Sequence, residues 1–284
     1  MIVDVYDRPA YAYTGGRTFT SDDEDALSAA AGGFADDCVV FIHGALNDHS
    51  VWNLLARWYA HHGYRVLAVD LQGHGRTPGP ALPSVEAMAD WVLELLDAAG
   101  VARAHLVGHS MGSLIALEAA ARAPERAASL AMVGTAYPMK VSTALLDTAR
   151  DTPLVAIDRV NAFSHSTLAA KPSFPGPGVW LHGAGRALMR RTLAGYPHGN
   201  LFEHDFRACD AYANGFEAAD QVACPSRLIV GEKDQMTPAR ATAQLAAALE
   251  AEVVTVPAGH ALMQEAPDAV LRALQGLIPA GVVG

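Results

Sequence analysis

Three cysteines in 284 residues, Cys38, Cys209 and Cys224, are too few and too widely spaced for a disulfide framework or a CxxC metal knuckle. Free thiols in a reducing, cytoplasmic setting are expected instead. No uncharged apolar run reaches the ~18 residues that span a bilayer, so no membrane span is expected. The stretch from Met1 to Asp7 lacks the basic start and long apolar core of a secretory leader. Lys and Arg total 20 against 30 Asp and Glu, a formal charge of −10. With no Lys/Arg cluster visible, nucleic acid is not an expected partner. Phosphate loops are missing too. Gly73-His74-Gly75 has neither the spacing nor the terminal Lys-Ser/Thr of a P-loop, and no G-x-G-x-x-G opens a helix. Asp48-His49 and His61-His62 have no third ligand at metal-site spacing. Neither a metal nor a cofactor is therefore expected.

What is present is a large apolar inventory, 51% hydrophobic against 18% charged residues, enough for a globular core. Residues 1–20 read as an N-terminal hairpin around Gly15-Gly16. Residues 21–37, opening on Asp22-Asp23-Glu24-Asp25, read as a solvated excursion. A regular rhythm then begins. Cys38–Ile42 is a continuous apolar run, the pattern of a strand buried on both faces, and Arg65–Val69, Ala104–Val107 and Leu130–Val133 read as further short, largely apolar strands. Helical segments alternate with them. Val51–His62 carries Val51, Leu54, Leu55 and Trp58 on one stripe, Ser84 caps a helix through Ala98, and Met111–Ala123 stops at Pro124. From 137 to 222 the strands vanish and segments of helical length take over. The first pattern returns with strands Arg227–Val230 and Val253–Val256 and helices Pro238–Glu250 and Pro267–Ile278. The expectation is an α/β fold with a mostly parallel sheet flanked by helices. Its core comprises 1–136 and 223–284, interrupted by a helical cap at 137–222.

The sharpest local signal is Gly108-His109-Ser110-Met111-Gly112, placed directly after a strand and directly before a helix. A serine at such a turn adopts a strained backbone, and glycines two positions to either side let neighbouring chain approach without a Cβ clash. The following helix aims its N-terminus at the reacting centre. Serine needs a base. Of twelve histidines, His260 follows the Val253–Val256 strand through Pro257-Ala258-Gly259, at the sheet end where open α/β folds gather their chemistry. The imidazole needs a carboxylate to fix its tautomer. Asp234, just past the Arg227–Val230 strand, is chosen over its neighbour Glu232, and Thr237 suits the N-cap of the next helix. The oxyanion of an acyl-transfer intermediate needs two N–H donors. Met111 supplies one. The loop after Ile42 supplies the other, Ala45 first and Leu46 second, with His43 bracing that loop.

His43-Gly44, Asp70-x-x-Gly73-His74-Gly75, Gly108-x-Ser110-x-Gly112, Gly231-x-x-Asp234 and Gly259-His260 together resemble the α/β-hydrolase superfamily, more narrowly the small serine carboxylesterases with a helical cap. The likeness covers residues 38–136 and 225–279 and is poor in the insertion. It implies an eight-stranded sheet whose first strands come from residues 1–20, and a structural role for Asp70. Epoxide hydrolases and haloalkane dehalogenases of this shape carry an aspartate nucleophile, whereas position 110 is serine.

The expected activity is hydrolysis of carboxylic esters of small to medium apolar substrates through an acyl-enzyme. A perhydrolase, a carbon–carbon hydrolase and an acyltransferase would use the same three residues, and a ligand-binding receptor on the same fold would keep them with little turnover. Trp52, Phe163, Trp180 and Phe206 are the aromatics expected to bind substrate. Arg186, Arg190 and Arg191 are read as a solvated helix face rather than an anion site.

Overall fold

A computed structural model describes residues 1–17, 37–168 and 180–280. The acidic run Asp22–Asp25 lies outside them. Eight strands form one sheet: β1 (Ile2–Val5), β2 (Arg8–Tyr13), β3 (Asp37–Ile42), β4 (Arg65–Val69), β5 (Arg103–His109), β6 (Ala127–Val133), β7 (Ser226–Gly231) and β8 (Glu252–Val256). Their spatial order is β1-β2-β4-β3-β5-β6-β7-β8. β1 and β2 pair antiparallel, β2 pairs antiparallel with β4, and every later neighbour is parallel.

The continuous apolar runs follow from burial of both faces. Side chains alternate along a strand. Val40 and Ile42 join Leu67, Val69 and Leu106 in one apolar cluster. Val39 and Phe41 join Val66, Ala68 and Val107 in the other. Helices α2 (Val85–Ala98) and α3 (Met111–Arg122) close the first face, and α1 (Asn53–Ala60) and the C-terminal helix Pro267–Gln275 close the second. α2 starts where the sequence predicts: the Ser84 hydroxyl accepts from Ala87 N–H at 3.2 Å. α3 is buried along almost its whole length, which its small residues permit.

Three local expectations are corrected. The N-terminal hairpin turns at Tyr6 and Asp7, both at positive φ (53° and 60°), rather than at Gly15-Gly16. That pair of conformations matches the right-handed twist of the strands, which here outweighs the strain on two non-glycine residues. Gly15 instead lies against the helix α1, where a Cβ would come within 2.3 Å of the Ala60 Cβ. The Val51–His62 segment begins as a 3-10 turn, His49–Trp52, before α1. The changed pitch exposes Leu54 and buries Ala56 and Tyr59. Pro238–Glu250 likewise divides into a 3-10 turn, Ala239–Thr242, and a short helix, Ala243–Ala248.

Between β6 and β7 lie α4 (Thr143–Asp151), α5 (Pro153–Ser164), α6 (Leu181–Gly195), α7 (Leu201–Ala211) and α8 (Gly215–Ala219). Ala149, Ile157, Val160, Met189, Phe202 and Phe206 form a separate apolar cluster, which also takes in Leu46 from the loop after β3. No helix among the described residues is long and apolar enough to cross a membrane. The Ser84 cap gives the first test: Ser84→Ala should lower stability by about 1 kcal/mol, read in thermal denaturation as a Tm lower by roughly 2–4 °C. An unchanged Tm would show that this cap contributes nothing.

Candidate active site

Ser110 sits between β5 and α3 with φ 52° and ψ −120°, a conformation that side chains rarely adopt. The surrounding backbone leaves little choice. Ser110 N–H donates to Val133 O at 2.9 Å. A Cβ on Gly108 would lie 2.0 Å from Gly112 O, and one on Gly112 would lie 2.3 Å from Ile42 O. The two glycines therefore serve the close approach of three chain segments. The loop after β3 comes equally close, since a Cβ on Gly44 would lie 3.1 Å from the Ser110 Cβ.

Gly231 and Gly259 bring the loops after β7 and β8 together. A Cβ on Gly231 would lie 2.3 Å from Gly259 O. Across this contact Asp234 Oδ2 accepts from His260 Nδ1 at 2.8 Å. Asp234 is buried and Glu232 is exposed, which separates the two acids. The second Asp234 oxygen accepts from Met236 and Thr237 N–H, both at 2.8 Å. Thr237 is not the expected helix cap; its hydroxyl donates to Asp234 Oδ2 at 2.7 Å and lies 3.1 Å from His260 Nδ1. Burial by itself would raise the Asp234 pKa. The His260 ring and the Thr237 hydrogen bonds outweigh it and hold the carboxyl at about 2. Asp234 thus fixes the tautomer with the proton on Nδ1, leaving His260 Nε2 with its lone pair. Ser110 and His260 line one cavity. The Ser110 hydroxyl makes no hydrogen bond to a described side chain, and such links often tighten only around a substrate.

Met111 opens α3, so its N–H has no intrahelical acceptor. Ala45 N–H has no partner among the described residues, whereas Leu46 N–H donates to Asp205 Oδ2 at 2.8 Å. Leu46, the second choice, is therefore removed as an oxyanion donor. His43 braces this loop as expected. Its Nδ1 donates to Gly44 O at 2.8 Å, and its Nε2 accepts from Leu71 N–H at 3.2 Å. Burial and the neighbouring His74 lower the His43 pKa to about 4, so the ring is neutral.

His109, the residue before the serine, was not singled out by the sequence. Its Nε2 donates to His260 O at 2.8 Å, so it fastens the histidine loop to β5. Burial and the nearby His260 ring lower its pKa to about 3, which keeps it neutral. Its position inside the serine motif was the available signal.

The cavity has a volume of about 150 Å³. Of the four aromatics expected to bind substrate, Phe206 lines it. Trp52 is fully buried, packed against Phe41 with ring centroids 5.0 Å apart, and its neighbour Val51 lines the cavity instead. Phe163 and Trp180 are 50% and 46% exposed and line no part of it. The apolar part of the wall is mainly aliphatic and thioether, with Met139, Val141, Leu145, Val160, Met189 and Met263. Lys140, Ser142, Asn161, Ser164 and His165 add polar groups from the insertion. The three insertion arginines bind acids rather than facing the cavity. Arg190 pairs with Asp158 at 2.9 Å, Arg191 with Asp48 at 2.8 Å, and Arg186 lies 4.0 Å from Asp158.

Asp48, His49 and Asp70 bring their ligand atoms within 4.8 Å of one another. The carboxylate oxygens of Asp48 and Asp70 are already engaged. Asp70 accepts from His49 N–H, His49 Nδ1 and Arg76 N–H, and Asp48 accepts from Ser50 and Arg191. The cluster braces loops, as the resemblance implies for Asp70.

A family model described as alpha/beta hydrolase fold matches residues 37–267, and the chain belongs to that family. Among curated proteins it is 29% identical over 253 residues to the dihydrolipoyllysine-residue acetyltransferase component of the acetoin cleaving system of Pseudomonas putida. That match covers 84% of this chain but only 62% of the relative's length. It is 28% identical to the "Putative carbamate hydrolase RutD" of Klebsiella pneumoniae, covering 78% of this chain and 84% of that protein. Among solved structures, the enol-lactonase from Burkholderia xenovorans LB400 superposes with a TM-score of 0.77 at 21% identity, covering 98% and 99% of the two chains. That likeness bears on the fold.

The Asp234–His260 pair has a consequence for acid stability. A carboxyl held at about 2, below its ordinary 3.8, stabilises the fold above pH 3.8. That stabilisation is lost as pH falls through the folded value. Asp234→Asn should therefore be less stable than the parent at neutral pH by about 2 kcal/mol, with the difference shrinking below pH 3.8 towards pH 2. Urea unfolding across this range checks it, and a pH-independent difference would contradict it.

Proposed function

We propose that the protein is a serine hydrolase that cleaves carboxylic esters of small to medium, largely apolar substrates through an acyl-enzyme. Ser110 Oγ attacks the ester carbonyl while His260 Nε2 takes its proton. Asp234 stabilises the imidazolium that results. The developing oxyanion is held by Ala45 and Met111 N–H. His260 then protonates the departing alcohol, and a water activated by the same nitrogen hydrolyses the acyl-enzyme. No cofactor enters this sequence of steps. The helices at 137–222 act as a cap that walls the cavity.

One observation carries the reading: a buried carboxylate–imidazole pair, with Nδ1 engaged, borders the same cavity as a serine in a strained strand-to-helix turn. Two of the similar proteins carry names in keeping with hydrolysis, one for a carbamate and another for an enol-lactone, while a third is named for acetyl transfer. Cys38, Cys209 and Cys224 form no disulfide among the described residues, which supports a reducing, cytoplasmic setting.

Ser110→Ala should stay folded and lose about 10⁴-fold or more in kcat, and should lose labelling by a fluorophosphonate. Near-normal hydrolysis by that variant would exclude Ser110 as nucleophile. Labelling of the parent without turnover of any ester would favour a binding protein. The small cavity predicts a second outcome. In a series of p-nitrophenyl esters, acetate and butyrate should be turned over with a higher kcat/KM than laurate; a preference for laurate would mean that the cap opens far wider than its packing here.

A further inference from the structure

We propose that Asp205, on the insertion helix α7, is a positioning residue for the oxyanion loop, holding Leu46 so that the preceding Ala45 N–H stays directed at the Ser110 site. The inference rests on the serine-hydrolase reading above and assigns a task within it to a residue of the cap.

Asp205 reaches back 159 positions to accept from Leu46 N–H at 2.8 Å. The same oxygen accepts from His74 Nε2 at 2.9 Å. Leu46, His74 and Asp205 are all buried. Leu46 stands at φ 55°, a conformation that a branched side chain adopts only when its surroundings impose it. Its side chain lies in the insertion's apolar cluster with Phe202 and Phe206, so α7 holds Leu46 by both its amide and its side chain.

Ala45 is thereby fixed from both sides. Gly44 O is held by His43, and Leu46 N–H is held by Asp205. His74 links the two anchors, with its ring centroid 4.9 Å from that of His43 and its Nε2 on Asp205. Asp205 Oδ1 has no partner among the described residues. An unsatisfied buried carboxylate oxygen is costly. An apolar residue would pack this site without that cost, but would release Leu46. The next residue, Phe206, lines the cavity, so one helical turn touches both substrate space and oxyanion loop.

The test uses the full chain with Asp205→Ala and Asp205→Asn. Amide hydrogen exchange at Leu46 is followed by mass spectrometry, and kcat and KM on p-nitrophenyl butyrate are measured per site titrated with a fluorophosphonate. Asp205→Ala should speed exchange at Leu46 and lower kcat per titrated site by about tenfold or more, since a misaligned oxyanion donor acts in the transition state. KM should stay within about threefold. Asp205→Asn keeps an acceptor oxygen for Leu46 N–H and should restore most of kcat. Unchanged Leu46 exchange, a loss confined to KM, or an asparagine variant no better than alanine would each overturn the proposal. If Asp205→Ala does not fold, Asp205→Glu, whose longer arm displaces the oxygen, takes its place with the same readouts. Failure of the parent to turn over any ester would count against the hydrolase reading, while the exchange measurement still decides whether Asp205 holds the loop.

Discussion

The strand-to-helix turn at Ser110 is the constraint on which the rest of the site depends. A non-glycine residue at φ 52° is unfavourable in isolation. It persists because Gly108 and Gly112 let the turn close against itself and against the end of β3, where no Cβ would fit. This close packing sets the Ser110 hydroxyl at the cavity, opens α3 at Met111 and brings the Gly44 loop against the serine. The backbone strain and the proposed chemistry therefore have a common cause in the approach of three segments.

Around that turn, polar contacts join loops that are remote in sequence. His109 holds the histidine loop through His260 O. Glu265 accepts from Gly259 N–H and from Ser166 N–H, so the same loop is also tied to the segment between β6 and β7. Asp205 likewise accepts from Leu46 N–H in the loop after β3. In both cases a buried carboxylate spans the boundary between the sheet domain and the inserted helices. Residues between β6 and β7 thus exchange hydrogen bonds with the loops after β3 and β8.

Much of this was legible in the sequence because the informative residues sit at strand ends. The apolar runs marked β3 to β7, and the motif around Ser110 followed one of them at once. Asp234 and His260 could be found by the same logic, as polar residues just beyond β7 and β8. The cavity wall was not legible. Which side of an inserted helix meets the sheet depends on tertiary packing, so Phe206 pointed inward while Phe163 and Trp180 remained on the surface. Trp52 shows the same limit within the core, because a 3-10 turn rotated it into the apolar layer and gave the cavity to Val51. The engagement of Leu46 N–H could not be read locally either, since its acceptor lies in a helix far along the chain. Thr237 was misread for a related reason: its hydroxyl looked free to cap a helix, but Asp234 sits one turn before it and takes the hydrogen bond.

The central claim is spatial: the Ser110 hydroxyl, the His260 imidazole and two backbone N–H groups converge on one reacting carbon. A crystal structure of the protein inactivated by a fluorophosphonate tests it most directly. The account predicts phosphorus bonded to Ser110 Oγ, with its phosphoryl oxygen at about 2.7–3.1 Å from Ala45 N and Met111 N, and His260 Nε2 within hydrogen-bond reach of Oγ. An adduct on another residue, or a phosphoryl oxygen turned away from both amides, would contradict it.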